Sequence, residues 1–278
     1  MEFYKTHALG NDFIVTERYQ IGGCCEFNEM AKQICHRHFG AGADGFVVLE
    51  RVDDKTFSFR IFNADGSEAE ISGNGIRCAA AYIFYNELVK GNELILKTSA
   101  GDRPIWLKHR EGEKFVFRNS MGKPRLDSRS IPFDDGSEHE RLVDYPLSVR
   151  NLTFPVTIVS MGNPHCILFF ENLPSHIEWR ELGKEIEEHP FFPERTNVEF
   201  VQVIDRNTIR VLIWERGVGE TYSSGSGSSA AAFASYLKGL TSNRVKVVTP
   251  AGDIFVDIDE EVFVEGPAEV VYKGIWLK

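Results

Sequence analysis

Two short loops carry the residues best suited to chemistry. Each has a serine and then a Gly-x-Gly turn that opens into an alanine-rich segment: Ser72-Gly73-Asn74-Gly75 and Ser224-Gly225-Ser226-Gly227. The first turn of a helix leaves backbone N–H groups without intrahelical partners, and the helix dipole adds partial positive charge there. Such a turn binds carboxylates, and glycine permits close approach of a ligand and positive φ angles. The loops therefore predict two carboxylate-binding helix ends.

A capping role would explain either serine alone. Serine is a favoured N-cap residue, because its hydroxyl satisfies an otherwise unpaired amide. The matched pair favours a ligand site, since capping does not require an acidic residue at the same distance before both loops, as Glu68 and Glu220 are. Ser72 and Ser224 are therefore candidate site residues on opposite sides of one ligand.

The two loops belong to a longer repeat. Its spacing is 152 residues, the separation of Ser72 from Ser224. Gly10-Asn11 matches Gly162-Asn163 and Ala79-Ala80 matches Ala231-Ala232 at that spacing, and Thr98 to Asp102 matches Thr249 to Asp253 one residue out of step. Several matches in order at one spacing indicate an internal duplication. We expect two halves, residues 1–120 together with 266–278 and residues 121–265, that face each other across a cleft.

The elements that must position these loops are strands and helices in alternation. Runs of β-branched and aromatic residues predict strands at 56–62, 197–204 and 208–214. Helical spacing of alanine and aromatic residues predicts helices at 75–90 and 227–238, each followed by a glycine stop at Gly91 or Gly239. The polar stretch at 125–150 is typical of a solvated loop or surface hairpin that bridges the halves.

Composition excludes several classes of protein. The 278 residues include no apolar run long enough to span a bilayer, and a net charge of −10 is unsuited to nucleic acid. The amino terminus lacks the pattern of a secretory signal, so we expect a cytoplasmic protein. The five cysteines, among them the adjacent Cys24 and Cys25, form no paired motif and indicate reduced thiols.

Longer motifs around the loops resemble a known family. The segments FNADGSEAEISGNGIRC (62–78) and ERGVGETYSSGSG (215–227) are similar to the two signatures of the diaminopimelate epimerase family. HALGNDF (7–13), MGNPH (161–165) and RTNV (195–198) resemble its other loop motifs, in the expected order over essentially the whole chain. The resemblance implies an α/β (α+β) fold of two pseudo-symmetric domains. Each would be a mixed or antiparallel sheet wrapped around a central helix, with the active site in the interdomain cleft.

The resemblance also implies a reaction. The family converts LL-diaminopimelate to meso-diaminopimelate, for lysine and peptidoglycan precursor synthesis, by moving the α-proton between two cysteine bases. It uses no pyridoxal phosphate, no other cofactor and no metal. The expected partner is a small amino acid, with neither nucleic acid nor membrane involved, and a homodimer is one alternative left open for the oligomeric state.

Family roles carry over to individual residues. His165 and Glu215 match positions that orient the site and hold the substrate's amine. The loop residues Gly73, Asn74, Gly225 and Ser226 match those that hold its α-carboxylate. The distal amine and carboxylate would be held by Asn11, Asn63, Asn163, Asn197 and Arg216, whose amides and guanidinium suit such groups. Gly45 departs from the pattern, because some members carry a side-chain amide there.

A sharper departure lies at the bases themselves. Ser72 and Ser224 stand where the family has its two cysteines, and a serine hydroxyl is a poor base without an adjacent activator. Two origins are open: an engineered, inactivating change that preserves shape, or a natural paralogue with another proton shift or a binding role. The alternatives in function are a racemase or isomerase of another amino acid and a catalytically silent amino-acid-binding protein.

Overall fold

The computed structural model describes residues 1–22, 26–69 and 72–277. The chain divides into two compact units: unit 1 comprises Met1–Ser120 and Glu265–Lys278, and unit 2 comprises Met121–Val264. Four residues noted in the sequence, Cys24 and Cys25 and the signature residues Glu70 and Ile71, lie outside the described part. No helix in that part is long and apolar enough to cross a membrane.

The elements of unit 1 begin at the amino terminus and surround one central helix. In chain order they are β1 (Glu2–Ala8), β2 (Asn11–Glu17), α1 (Phe27–Cys35), β3 (Gly45–Arg51), β4 (Thr56–Asn63), β5 (Glu68–Ala69), α2 (Gly73–Tyr85), β6 (Glu93–Thr98), β7 (Gly101–Glu111) and β8 (Lys114–Gly122).

The elements of unit 2 follow the same order. They are β9 (Leu142–Val149), β10 (Leu152–Ser160), β11 (Pro164–Phe170), α3 (His176–Glu187), β12 (Asn197–Asp205), β13 (Thr208–Glu215), β14 (Gly219–Thr221), α4 (Gly225–Leu237), β15 (Arg244–Thr249), β16 (Gly252–Ile258) and β17 (Val262–Ile275). From Glu265 onward, β17 belongs to unit 1, where it pairs antiparallel with β1.

Strand pairing is the same in both units. In unit 1, β2 is antiparallel to β1 and parallel to β3, β4 is antiparallel to β3 and parallel to β6, and β6 is antiparallel to β7. Unit 2 repeats this pattern with β10, β11, β12, β13, β15 and β16. The predicted fold class, a mixed sheet around a central helix in each of two related units, is confirmed.

Small residues allow each sheet to close around its helix. In α2, Ala79, Ala80 and Ala81 are fully buried, and the helix packs against Phe57 and Phe117 in the core of unit 1. In α4, Ala230, Ala231 and Ala232 are equally buried. A helix that is largely apolar must be enclosed by the sheet. The polar residues of such a helix that can contact a ligand are then those of its first turn.

The helix ends differ in part from the prediction. Both central helices begin two residues earlier than expected, at Gly73 and Gly225. The first one ends at Tyr85 instead of continuing to Lys90, because Glu87 adopts a left-handed φ of 55° and breaks the helix before Gly91. The other glycine stop is correct, since Gly239 follows the cap of α4 with a φ of 70°.

The segment at 125–150 is not the solvated bridge that its charges suggest. Its last residues form β9, which pairs with β10, and Phe133 is buried in the core of unit 2. Asp135 accepts hydrogen bonds from the Tyr145 hydroxyl at 2.8 Å and lies 3.0 Å from the His139 ring. The aromatic side chains that alternate with the acidic ones anchor this segment to unit 2.

Candidate functional site

Ser72 and Ser224 are both N-cap residues. Ser72 Oγ accepts a hydrogen bond from Gly75 N at 3.1 Å, and Ser224 Oγ accepts one from Gly227 N at 3.2 Å. Their backbones match, with φ and ψ of −142° and 120° at Ser72 and of −138° and 128° at Ser224. The hydroxyls therefore lie at equivalent points, each at the first turn of its central helix.

The positive φ angles predicted for the glycines of these turns are not found. None of Gly73, Gly75, Gly225 and Gly227 has a positive φ, because all four lie in the helical first turn. A β-carbon at Gly75 would lie 2.7 Å from Ile61 Cδ1, and one at Gly227 would lie 2.8 Å from Glu199 Oε1. Gly75 and Gly227 thus let each helix start pack closely on side chains of the sheet, which a larger residue would have to displace.

In unit 1 a chain of hydrogen bonds connects two predicted binding residues to a buried cation. Asn74 Nδ2 donates to Asn11 Oδ1 at 3.1 Å, and the Asn74 Oδ1 atom accepts a hydrogen bond from Arg77 Nη2. Asn11 Nδ2 in turn donates to Asp44 Oδ2 at 2.9 Å. Asn74 and Arg77 are buried, so the turn at the start of α2 is held in one orientation.

Beside Asn11 lies a group of four ionised side chains. Arg37 donates to Asp12 Oδ1 at 2.8 Å and to Asp44 Oδ1 at 2.6 Å, and Lys5 forms a further ion pair with Asp12. Partial burial opposes ionisation of Asp12, yet the hydrogen bonds from Arg37 and Lys5 hold the pKa of its carboxyl well below the usual range. The group contains two cations and two anions and is neutral overall.

The remaining unit 1 candidates lie at the ends of β3 and β4. Asn63 pairs with Gly45 across these strands, and its exposed side chain donates to Ser67 Oγ at 2.9 Å. A β-carbon at Gly45 would lie 2.9 Å from Phe13 Cε1, which explains why no amide side chain occupies this position. Glu68 forms a two-point hydrogen-bonded pair with Arg60 and is exposed, so it supports the loop from outside.

In unit 2 the equivalent interior holds an acid and an imidazole. His165 Nδ1 lies 2.7 Å from Glu199 Oε1, and both side chains are fully buried. His165 Nε2 lies 2.9 Å from Asn163 Oδ1. Burial raises the pKa of the Glu199 carboxyl, against the opposing effect of His165. Both ring nitrogens face oxygen atoms, so the imidazole is held in one orientation.

Asn197 and Arg216 are brought together at the edge of the same sheet. The parallel register of β11 and β12 aligns Asn197 with His165. The Asn197 side chain is buried, donates to Pro164 O at 2.8 Å and accepts from Arg216 N at 3.0 Å. The Arg216 guanidinium donates to Glu194 O at 3.1 Å. Asn197 therefore orients the turn from which Arg216 projects.

That turn has a further support which the sequence did not reveal. Glu187, buried at the end of α3, accepts from Gly217 N at 2.8 Å and from Trp214 Nε1 at 2.7 Å. Both of its oxygen atoms thus hold the segment that carries Arg216 and the half-buried Glu215.

Among the described residues, no group of three or more His, Cys, Asp or Glu side chains is placed to hold a metal ion.

Arg77 and Glu199 are, like Glu187, buried charged residues that the sequence motifs did not single out. A signal for them exists in the repeat, because at the spacing of 152 residues Arg77 corresponds to Ser229, Glu199 to Val47 and His165 to Phe13. These are breaks in an otherwise matched pattern of apolar or small residues. Where a buried strand or helix has a charged residue in one copy and an apolar or small residue in the other, the two copies have diverged.

Known proteins match the chain over nearly its whole length. A family model described as diaminopimelate epimerase matches residues 3–126 and 157–271. The diaminopimelate epimerase of Pelotomaculum thermopropionicum is 43% identical over 99% of this chain and 98% of its own. That of Moorella thermoacetica is 40% identical over the same shares. A hydroxyproline epimerase structure from Agrobacterium vitis, with bound trans-4-hydroxy-L-proline, has a TM-score of 0.70 at 14% identity, over 99% of this chain and 91% of that one.

Proposed function

Because the chain belongs to the diaminopimelate epimerase family, we propose that it is a cofactor-independent scaffold for the epimerisation of LL- and meso-diaminopimelate. The observation that carries the proposal is the matched pair of N-caps. Each unit ends its loop in a serine whose Oγ lies at the first turn of an enclosed helix. Relatives named for this activity align with 99% of the chain.

The substrate's α-carboxylate would be bound by backbone amides at the helix starts. Partial positive charge and unpaired N–H groups are available there, at Gly73 and Asn74 in one unit and at Gly225 and Ser226 in the other. We assign His165 and Glu215 to the amine next to the reacting carbon. Arg216 is assigned to the distal carboxylate, supported by the amides Asn11, Asn63, Asn163 and Asn197.

Epimerisation needs one group that removes the α-proton and another that returns a proton from the opposite face. We assign these positions to residues 72 and 224, where the family has thiols. A thiol is much more acidic than a serine hydroxyl and ionises readily at a helix start, whereas serine needs a neighbouring base. Within the described part of the chain, Ser224 Oγ has only Gly227 N, at 3.2 Å, and Ser226 Oγ, at 3.3 Å, as its hydrogen-bond neighbours. We therefore expect this chain to bind substrate and to exchange its α-proton very slowly.

Deuterium exchange tests the proposal directly. The α-proton of LL-diaminopimelate would be followed by NMR in heavy water with the chain as it stands and with the double variant Ser72→Cys, Ser224→Cys. We expect exchange and formation of the meso isomer only with the double variant. The double variant Ser72→Ala, Ser224→Ala is the matched control, because it alters the same positions without adding a thiol.

Calorimetry separates the alternatives. Saturable binding of diaminopimelate, with much weaker binding of lysine, which lacks the distal carboxylate, supports the assigned role of Arg216. Equal binding of both would instead favour a racemase of another amino acid. If the double cysteine variant binds diaminopimelate but does not exchange its α-proton, a catalytically silent amino-acid-binding protein is favoured. In that case the two serines serve as helix caps, a role that their hydrogen bonds to Gly75 N and Gly227 N already support.

A further inference from the structure

Arg77 is a fully buried cation, and it has no carboxylate partner among the residues that the structure describes. Its Nη2 atom donates to Asn74 Oδ1, whereas Nε and Nη1 have no hydrogen-bond partner in that part of the chain. Burial lowers the pKa of the guanidinium to about 10, so it stays charged at neutral pH. A buried charge without a counter-ion costs stability, and positions that retain such a cost are frequently functional.

The charges nearest to α2 do not neutralise Arg77. On β1, β2 and the loop before β3, the cations Lys5 and Arg37 are balanced by Asp12 and Asp44. Toward the other end of α2, the Tyr82 hydroxyl donates to Glu17 at 2.7 Å, and Tyr82 lies ten residues along the chain from Ser72. Among the described residues, the first turns of α2 therefore carry one excess positive charge.

The corresponding position in unit 2 is different. Ser229 occupies it, and its hydroxyl donates to Gly225 O at 2.7 Å within the helix. The start of α4 instead contacts the Glu199 carboxyl. A β-carbon at Gly227 would lie 2.8 Å from Glu199 Oε1 and 3.4 Å from Ser224 Cβ, so the acid and Ser224 share that small space. One helix start has a buried cation behind it, and the other has a buried acid.

We infer that Arg77 is a positioning residue that polarises the Asn74 amide and makes the start of α2 the more electropositive of the two, favouring an anion at residue 72. The functional relevance of this inference rests on the epimerisation proposed above. In that reaction, the base at position 72 is ionised before substrate binds, whereas its counterpart at position 224 keeps its proton. The duplicated site is thereby set with one base and one acid before substrate arrives.

The experiment reads thiol ionisation and needs no turnover. Cysteine would be introduced singly in the full-length chain, as Ser72→Cys and as Ser224→Cys, each with and without Arg77→Met. The rate of alkylation by iodoacetamide at each position would be followed from pH 5 to 10 by peptide mass spectrometry, which distinguishes the new thiol from the native cysteines. Arg77→Lys, which keeps the charge, is the matched conservative variant.

We expect the thiol at position 72 to ionise at lower pH than the one at position 224. Arg77→Met should raise its apparent pKa by roughly one unit, because a nearby charge shifts ionisation by that order, and Arg77→Lys should restore most of the difference. The thiol at position 224 should not respond. If Arg77→Met does not fold, Arg77→Gln, which removes the charge and can still donate to Asn74, takes its place.

Two outcomes overturn the inference. An unchanged thiol pKa at position 72 after loss of the Arg77 charge would show that the guanidinium only fills space. Equal shifts at positions 72 and 224 would show a general disturbance of the fold. Either result leaves the proposed function intact, because diaminopimelate binding and α-proton exchange are measured separately, and a failure of those assays leaves the ionisation result standing.

Discussion

The two half-sites share a backbone and differ in their interiors. Both central helices have 13 residues, the same cap geometry and the same serine hydroxyl at the first turn. Behind that turn, unit 1 has Phe13, Val47 and Arg77, and unit 2 has His165, Glu199 and Ser229 at the corresponding positions. The two units therefore have matching helix starts, and a few buried residues that differ between them place a cation behind one start and an acid behind the other.

The largest expected effect is on the rate of epimerisation when cysteine is introduced at only one of positions 72 and 224. If the positions act as a pair on one α-carbon, Ser72→Cys alone and Ser224→Cys alone should each epimerise diaminopimelate at least ~100-fold more slowly than the double variant, since a single general acid or base contributes about that much or more. Circular dichroism of the product measures the rate. Full activity in either single variant would show that the two positions do not act together.

Next in size is the loss of the buried acid. Glu199→Ala leaves the His165 ring without its partner in a fully buried site and should lower the free energy of unfolding by about 3 kcal/mol. Glu68→Ala removes an exposed pair with Arg60 and should cost less than about 1 kcal/mol. Urea denaturation measures both. Equal losses would mean that the buried pair is no more important to stability than a surface one.

The caps offer a closer comparison, because their geometry is the same in both units. Ser72→Ala and Ser224→Ala should each lower the free energy of unfolding by about 1 kcal/mol through the lost bond to Gly75 N or Gly227 N. Chemical denaturation monitored by far-UV circular dichroism is the measurement. Glycine at either position, which lets water reach the amide, should cost only a few tenths of a kcal/mol.

The smallest effect is a difference in the sign of the pH dependence. Because the pKa of Glu199 is raised by burial, the folded state holds more protons than the unfolded one above the usual glutamate range, and stability falls as the pH rises there. The lowered pKa of Asp12 acts oppositely, so stability is lost as the pH falls below about 4.

Denaturation midpoints from pH 3.5 to 8 test this difference in sign. Glu199→Gln should remove the decline on the neutral side, and Asp12→Asn should remove the decline on the acid side. Each slope should stay below ~1.4 kcal/mol per pH unit, the limit for one proton. A steeper loss in either variant than in the parent chain would contradict the assignment.

Strands and helices were predictable in segments where buried hydrophobic residues recur at a single regular spacing. The predicted strand at 208–214 is β13, which ends one residue later at Glu215, because alternating β-branched residues have a single buried face there. The end of α2 was not predictable in this way, since Glu87 takes the left-handed conformation there, where Leu88 N donates back to Ile83 O at 3.0 Å, and no glycine marks it. Glycine marked the end of α4 correctly because Gly239 itself takes the left-handed conformation.

The candidate site was predictable in its two Ser-Gly-x-Gly turns and not in its supporting residues. The Ser-Gly-x-Gly turns stand out because they interrupt apolar segments. Arg77, Glu187 and Glu199 do not, because each lies within a regular helix or strand, and only three-dimensional contacts show what its charge faces. Comparing the two copies position by position reveals all three, because Arg77 corresponds to Ser229, Glu199 to Val47 and Glu187 to Cys35.

The unlike interiors limit how far such a chain could be simplified by symmetry. A gene made from two copies of the first half would bury two guanidinium groups and have no imidazole behind either turn. The reverse arrangement, from two copies of the second half, would place the Glu199 carboxyl behind both turns and Arg77 behind neither. Although the backbones of the two first turns match, the side chains behind them differ in charge, so a symmetric chain would not reproduce this arrangement.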